Sequence, residues 1–315
     1  MSLITILQQG DFTTIQDEGR WGYQAFGMPI AGALDKYAYR IANILVGNQE
    51  QAAVIEMTHA GAAFKFDQEQ FVAVCGADMQ GKLEGKSINN WSSFFVPQQG
   101  ELRFDAAISG CRTYLAVRGG IEVPLVLGSR STYTRAKLGG YEGRILRQGD
   151  VLYVGQDSSA PTAPRRLQHQ FVPQYPSEVN LRVILGPQDN MFTDSAVQTF
   201  LSSAYTIAGQ ADRAGYPLKG PKILPLGKEA DIVSDAVGLG AIQIASNGRP
   251  FIVTADHQTT RGFAKIGYVI RVDLSALAQA RSGDKVRFTA VSEQEAVKAL
   301  HNEQQTYKRI EVIPK

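Results

Sequence analysis

Short apolar runs separated by glycine-rich turns constrain this chain more than any other feature, and 31 of its 315 residues are glycine. Leu3–Leu7, Phe71–Val74, Ser93–Val96, Tyr114–Val117 and Val151–Val154 are such runs in the first half. Leu181–Leu185, Ala241–Ala245, Phe251–Ala255, Tyr268–Val272 and Val286–Ala290 are their counterparts in the second. Each is rich in β-branched or aromatic residues and bounded by turn residues, the pattern of a strand. The expected fold class is therefore mainly β with a few helices.

The helices have local signatures. Asp35 is a favourable N-cap for a helix carrying Ala38, Ile41, Ala42 and Leu45 at helical spacing, with Gly47 at its end. A second helix is expected from about Asp189 to Leu201, with Phe192, Val197 and Phe200 on its apolar side. A third follows Ser292, where Ser292 and Glu295 have capping-box spacing.

The best boundary is the segment Ser158–Pro176, which carries Pro161, Pro164, Pro173 and Pro176. That composition predicts a linker. The expected organisation is a β-barrel-like domain over 1–157, a linker over 158–176 and a second such domain over 177–315. Gly149-Asp150 and Gly283-Asp284 each feed a final strand. This weak echo is consistent with duplication.

Composition excludes several classes. Hydrophobic residues make up 44% and charged residues 20%, a soluble globular balance. A net charge of +2 gives no case for nucleic acid or an anionic membrane. No apolar stretch approaches the roughly 20 residues that span a bilayer, and the start of the chain has no signal-peptide pattern. A cytoplasmic location is expected. Cys75 and Cys111 lack metal-ligand neighbours in sequence and read as core residues.

Six polar segments stand out, each with two open readings. Asp17 and Arg20 lie in the loop Gln16-Asp17-Glu18-Gly19-Arg20-Trp21-Gly22-Tyr23. Arg20 could offer a planar fork to a carboxylate or phosphate, or the pair could close the loop on itself. Asp35 could cap its helix or mark an anion site at the helix N-terminus. Glu56, inside the apolar run Val54–Met57, either faces solvent by strand alternation or is buried as the structural partner of an arginine. Gly128-Ser129-Arg130-Ser131-Thr132-Tyr133 has the hydroxyls and guanidinium of an anion loop, or of a loop bonding its own backbone. Asp256-His257-Gln258-Thr259-Thr260-Arg261 follows a strand, as residues on a barrel rim do, and Asp212-Arg213 is a second Asp–Arg pairing; each is either site or scaffold. His257 alone carries little weight. Gly76–Leu83 nearly matches a P-loop, but Leu83 supplies no magnesium-binding hydroxyl and strand and turn follow rather than helix.

Taken in order, these segments resemble a known family. Gln16-Asp17, Gly19-Arg20, Gly22-Tyr23, Gly27, Pro29, Gly32-Ala33 and Asp35 form its first signature, continuing through Leu45-Val46-Gly47-Asn48 and Glu56. The middle signature is Gly119-Gly120-Ile121, Val123-Pro124, Gly128–Thr132 and Gly139-Gly140. The late one is Ser234-Asp235, Gly240-Ala241-Ile242-Gln243, Gly248, Pro250, Asp256 and Gln258-Thr259-Thr260. The chain resembles the allophanate hydrolase subunit 2 group, a carboxyltransferase-like family that includes the C-type subunit of ATP-dependent 5-oxoprolinase. The resemblance implies two cyclophilin-like β-barrel domains in tandem. It implies one part of an enzyme that opens the lactam of 5-oxoproline to glutamate, inactive without its partners. Those partners are a B-type protein, which is kinase-inhibitor-like, and an A-type protein. ATP is expected in the complex, with no covalently attached biotin and no metal site in this chain. Expected catalytic residues are Asp17, Arg20 and Asp256. Expected substrate-binding residues are Tyr23, Arg130, Ser131, Thr132, Arg213, Gln243, Gln258, Thr259 and Thr260. The alternatives are a carboxyltransferase acting on a urea-like amide with biotin carried elsewhere, and a regulatory protein that antagonises a histidine-kinase inhibitor. One departure bears on substrate: the family's usual Gly-Gly-Tyr-Pro after Gln-Thr-Thr reads Arg261-Gly262-Phe263-Ala264 here.

Overall fold

The structure is a computed structural model that describes residues 2–156, 163–209, 211–226, 231–310 and 312–314. It is mainly β, with four α-helices among the described residues: α1 (Lys36–Val46), α2 (Asp194–Ser202), α3 (Leu274–Gln279) and α4 (Glu293–Arg309). The chain forms two compact units, described separately. The first comprises Met1–Trp21, Ala31–Tyr175 and Arg309–Lys315; the second comprises Gly22–Ile30 and Pro176–Lys308.

The first unit contains two seven-stranded sheets. One runs in the order Ile121–Glu122, Val151–Val154, Ser2–Gln8, Ala63–Phe66, Glu101–Arg103, Lys82–Leu83 and Lys86–Ser87. The other runs Phe12–Gln16, Val54–Thr58, Ser109–Val117, Gln70–Asp78, Ser92–Val96, Arg165–Leu167 and Val312–Pro314. A shared core includes Ile4, Ile6, Ile55, Phe64, Phe66, Val72, Leu115 and Leu152. Ile4 and Ile6 illustrate the strand period of two: only alternate side chains of Ser2–Gln8 reach this core. Gln70–Asp78 and Ser109–Val117 are buried along nearly their whole length, on both faces, because α1 covers their other face.

α1 begins and ends where the sequence predicts. The Asp35 carboxylate accepts from the Ala38 N–H at 2.9 Å, and Gly47 forms the C-cap. The expected helix over Asp189–Leu201 is broken into a 3₁₀ turn, Asp189–Met191, and α2, because Thr193 caps a fresh start by accepting from Ala196 N–H. Ser292 and Glu295 form the predicted reciprocal box ahead of α4, at 2.8 and 3.2 Å.

The proline-rich segment differs from a bare linker. Residues 157–162 lie outside the described residues, but Arg165–Leu167 forms a strand between Ser92–Val96 and Val312–Pro314. Strand pairing needs only backbone donors and acceptors, and Leu167 is buried, so flanking prolines do not prevent it. The same pairing joins the end of the chain to the first unit.

The second unit is built on a closed barrel in the order Glu178–Leu185, Lys265–Val269, Ala241–Ile244, Pro250–Val253, Gly215–Lys219, Tyr205–Ile207 and Lys285–Ala290. The last strand closes on the first in parallel, from Glu178↔Lys285 to Val183↔Ala290. A separate two-stranded ribbon pairs Asp231–Ala236 with Thr260–Phe263. Val237, at the end of the ribbon, packs with Ala241 and Val253, and Phe251 and Tyr268 lie against this cluster.

Two glycines separate steric need from backbone need. Gly119 (φ 87°) and Gly149 (φ 88°) share a left-handed backbone. A Cβ on Gly119 would lie 2.0 Å from the Gly155 carbonyl oxygen, whereas one on Gly149 meets nothing within 4 Å. Gly149→Ala is expected to cost only the left-handed penalty of about 1–2 kcal/mol. Gly119→Ala is expected to cost more than about 4 kcal/mol, because backbone cannot yield as a side chain can. Urea unfolding of the two variants checks this; equal losses would contradict the close backbone approach.

Candidate functional site

The first polar cluster joins two loops of the first unit. The Asp17 carboxylate accepts from Gly19 N–H (2.8 Å), Ser129 Oγ (2.7 Å) and Arg130 N–H (2.5 Å), and from Ser131 Oγ in a short bond. Ser131 Oγ is also reached by the Asp17 N–H at 3.0 Å. Arg20 is fully buried and donates from Nε to the Val126 carbonyl (3.0 Å) and from Nη2 to the Ser131 carbonyl (2.8 Å). Thr132 donates through both N–H and Oγ1 to the Ile15 carbonyl. Asp17 and Arg20 thus converge on Ser129–Thr132 and stitch it to the strand Phe12–Gln16. Dipoles close at hand meet the Asp17 carboxylate and the Nε and Nη2 of Arg20, which offsets the cost of placing these charges in the interior. Arg130 points outward instead, donating to the Val123 carbonyl (3.1 Å) and to Glu122 (3.2 Å).

A second network surrounds the start of α1. Buried Glu56 accepts from Leu34 N–H (3.0 Å) and from the Tyr114 hydroxyl (2.8 Å). That hydroxyl accepts in turn from Asp35 N–H at 2.8 Å. Burial, then the Glu56 charge, holds the Tyr114 hydroxyl well above its ordinary pKa, so it stays a donor. Asp35 is a cap here, its carboxylate turned into its own helix.

The second unit carries the other cluster. Arg213 and Asp256 form a buried two-point pair, Nε–Oδ2 3.0 Å and Nη2–Oδ1 3.0 Å. Their backbones are tied as well, because Asp256 N–H and Thr254 Oγ1 both donate to the Arg213 carbonyl, each at 2.8 Å. Removing one member of such a pair typically costs about 3–5 kcal/mol, since the other charge is left buried. The pair fixes the turn that presents His257. The His257 Nδ1 lies 2.6 Å from the Gln258 carbonyl. A carbonyl can only accept, so Nδ1 carries the proton and, in the neutral ring, Nε2 holds the lone pair. Burial is the main cause of a lowered His257 pKa, with the Arg261 charge acting in the same direction.

The remaining expected residues spread around this cluster. Gln258 and Thr260 are exposed and Thr259 is half-buried, its carbonyl accepting from Val237 N–H. Gln243 is buried in the strand Ala241–Ile244, with Phe251 and Lys265 as its cross-strand partners. Tyr23 is half-buried ahead of a short 3₁₀ turn, Gln24–Phe26, and groups with the second unit, whereas Asp17 and Arg20 belong to the first. Two further residues of this unit carry buried polar groups. Lys265, not singled out from the sequence and 1% exposed, donates from Nζ to Asp235 Oδ2 (2.6 Å) and the Ala236 carbonyl (3.1 Å). His257, given little weight in the sequence, is the other. A lysine opening the apolar strand Lys265–Val269 is the same kind of signal as Glu56 in its strand.

The His257 shift has a testable sign. Its folded pKa lies below the unfolded value of 6.5, so below that value the unfolded chain binds the extra proton first. The group's contribution is complete above pH 6.5 and is lost as pH falls through the folded pKa. His257→Gln keeps an N–H for the Gln258 carbonyl but cannot titrate. The wild-type stability advantage over His257→Gln is expected to shrink from pH 7.5 to pH 5 in urea unfolding; an advantage that grows would reverse the assignment.

Comparison with known proteins places these clusters in context. Residues 26–290 match the family model described as "Carboxyltransferase domain, subdomain A and B". The chain is 33% identical to the C subunit of 5-oxoprolinase from Escherichia coli (strain K12) over 310 residues, covering 98% of this chain and 97% of that protein. It is 36% identical to the corresponding C subunit of 5-oxoprolinase from Haemophilus influenzae over 300 residues, covering 94% of each. The crystal structure of K. lactis urea amidolyase superposes with a TM-score of 0.92 at 29% identity over 96% of this chain, which spans only 20% of that longer one. The sequence signatures and the two-unit β fold agree with these matches: the chain belongs to the family of carboxyltransferase domains, subdomains A and B.

Proposed function

We propose that this chain is the C-type component of an ATP-dependent 5-oxoprolinase, acting with partner subunits to open a cyclic amide. One observation carries this reading: the similarity to the two 5-oxoprolinase relatives runs end to end, over 97% and 94% of their lengths. The match to the urea amidolyase structure occupies a fifth of that chain.

The chemistry sets the need. Amide resonance makes a lactam carbonyl a poor electrophile, and ATP bound in the complex supplies the activation. The residues of this chain do not fit a phosphate cradle at the P-loop-like stretch. The strand Gln70–Asp78 there leads into the strand Lys82–Leu83, with no helix N-terminus to receive phosphate. No nucleotide step is therefore assigned to this chain.

Its contribution is the second-unit cluster. Arg213 and Asp256 hold the turn, and neutral His257 keeps a lone pair on Nε2 with which to accept a proton from an attacking water. Asp17, Arg20, Ser131 and Thr132 act as the scaffold of the first unit. Asp256 acts as the positioning partner of Arg213. Partners of the A and B types complete the enzyme, and the chain alone is inactive.

A second reading is favoured by the urea amidolyase superposition: a carboxyltransferase acting on a urea-like amide, with biotin delivered by another chain. Co-expression with both candidate partners separates the two. Glutamate release from 5-oxoproline that requires ATP and vanishes when this chain is omitted supports the oxoprolinase. A stable complex that releases none, but carboxylates urea when given a biotin carrier, would overturn it.

A further inference from the structure

Gln243 is a buried polar side chain whose amide has no hydrogen-bond partner among the described residues. It is 1% exposed, and neither Oε1 nor Nε2 is bonded to any of them. An amide shut away from water without partners is costly, and such costs persist where a ligand repays them. Its neighbours define the surroundings. Direct cross-strand partners share a face of the sheet, so Phe251 and Lys265 lie on the same side as the amide. Lys265 reaches from that face to Asp235 and Ala236 of the ribbon. The ribbon therefore covers the amide. The strand Lys265–Val269 also breaks register opposite Ile242 and Gln243, an irregularity of the kind that re-aims a side chain. The Arg261 guanidinium, from the other ribbon strand, stands 5.2 Å over the Phe251 ring. Gly215 leaves room for this ring, because a Cβ there would meet it at 2.4 Å.

We infer that Gln243 reads the edge of a cis-amide, the planar group in which N–H and C=O lie side by side. The argument is one of complementarity. A primary carboxamide presents one acceptor and one donor on a single edge. A lactam, with its amide locked cis, presents the matching donor and acceptor, and the two close a ring of paired N–H···O bonds. Ureas and primary amides share that edge. A trans peptide has its N–H and C=O on opposite sides and satisfies only one atom of the pair. A carboxylate offers acceptors alone and leaves Oε1 unmet. Opening a lactam to an amino acid thus destroys the recognised edge, which favours product release. Arg261, held on Phe251, supplies a cation for a carboxylate carried next to the ring. Naming 5-oxoproline as the lactam rests on the function proposed above; the cis-amide preference itself does not.

NMR titration of the full-length chain tests this with 2-pyrrolidinone, N-methyl-2-pyrrolidinone and 5-oxoproline as probes. The expected results are binding of 2-pyrrolidinone and about 10-fold or greater weakening on N-methylation, as loss of the donor removes the paired bonds. Gln243→Leu and Gln243→Met are expected to weaken 2-pyrrolidinone by a similar factor. They are also expected to raise Tm by a few degrees, because an unsatisfied amide is gone. Arg261→Gln is expected to abolish the preference for 5-oxoproline over 2-pyrrolidinone. Equal affinity for the N-methylated probe, or absence of binding by any cis-amide, would overturn the inference, and neither result depends on a variant folding. Apolar variants that lower Tm and leave affinity unchanged would show Gln243 to be structural. Probe binding through Gln243 without glutamate release in the reconstituted complex would sustain the cis-amide site while removing 5-oxoproline as its substrate.

Discussion

A charge or dipole taken out of water must find a partner, and both units are organised around how that requirement is met. In the first unit Asp17 gathers donors from Gly19, Ser129, Arg130 and Ser131, which fixes two loops far apart in sequence. Glu56, Tyr114 and Asp35 do the same for the start of α1. In the second unit Arg213 and Asp256 satisfy each other and hold the turn that carries His257. The amide of Gln243 differs in that both of its polar atoms are buried without a partner among the described residues. The proposed cis-amide recognition rests on that feature.

Local physics was legible in the sequence. The cap at Asp35 and the box at Ser292–Glu295 need only residues within one turn, so both could be read before any tertiary contact was known. Most strand cores were legible for the same reason. The 3₁₀ break before α2 was not, since Thr193 outcompetes the run of apolar spacing by capping a new start. The ribbon was also hidden. Its strands are short and lack a regular apolar alternation, and Asp235 pairs with Arg261 across a long stretch of chain, so no local period announces the pair.

The candidate site was legible as a set of residue types and illegible as a set of roles. Asp17 and Arg20 read equally as ligands or as loop fasteners, and the structure adds their bonds to Ser131 and Val126 within the loop. His257 carried no weight in the sequence because a lone histidine is common. The carbonyl of Gln258 and the packing around the ring give it a defined tautomer and a lowered pKa. Gln243 stood within a family signature, yet its meaning depends on Phe251 and Lys265 across two strand pairings, which spacing cannot supply.

Hydrogen–deuterium exchange of this chain within the reconstituted complex, with and without 5-oxoproline, tests most directly whether the second-unit cluster is where the lactam binds. The account predicts slowed exchange in the ribbon strands Asp231–Ala236 and Thr260–Phe263 and in Ala241–Ile244. Protection confined to the Asp17–Arg20 and Ser129–Thr132 loops, with the ribbon unchanged, would contradict it.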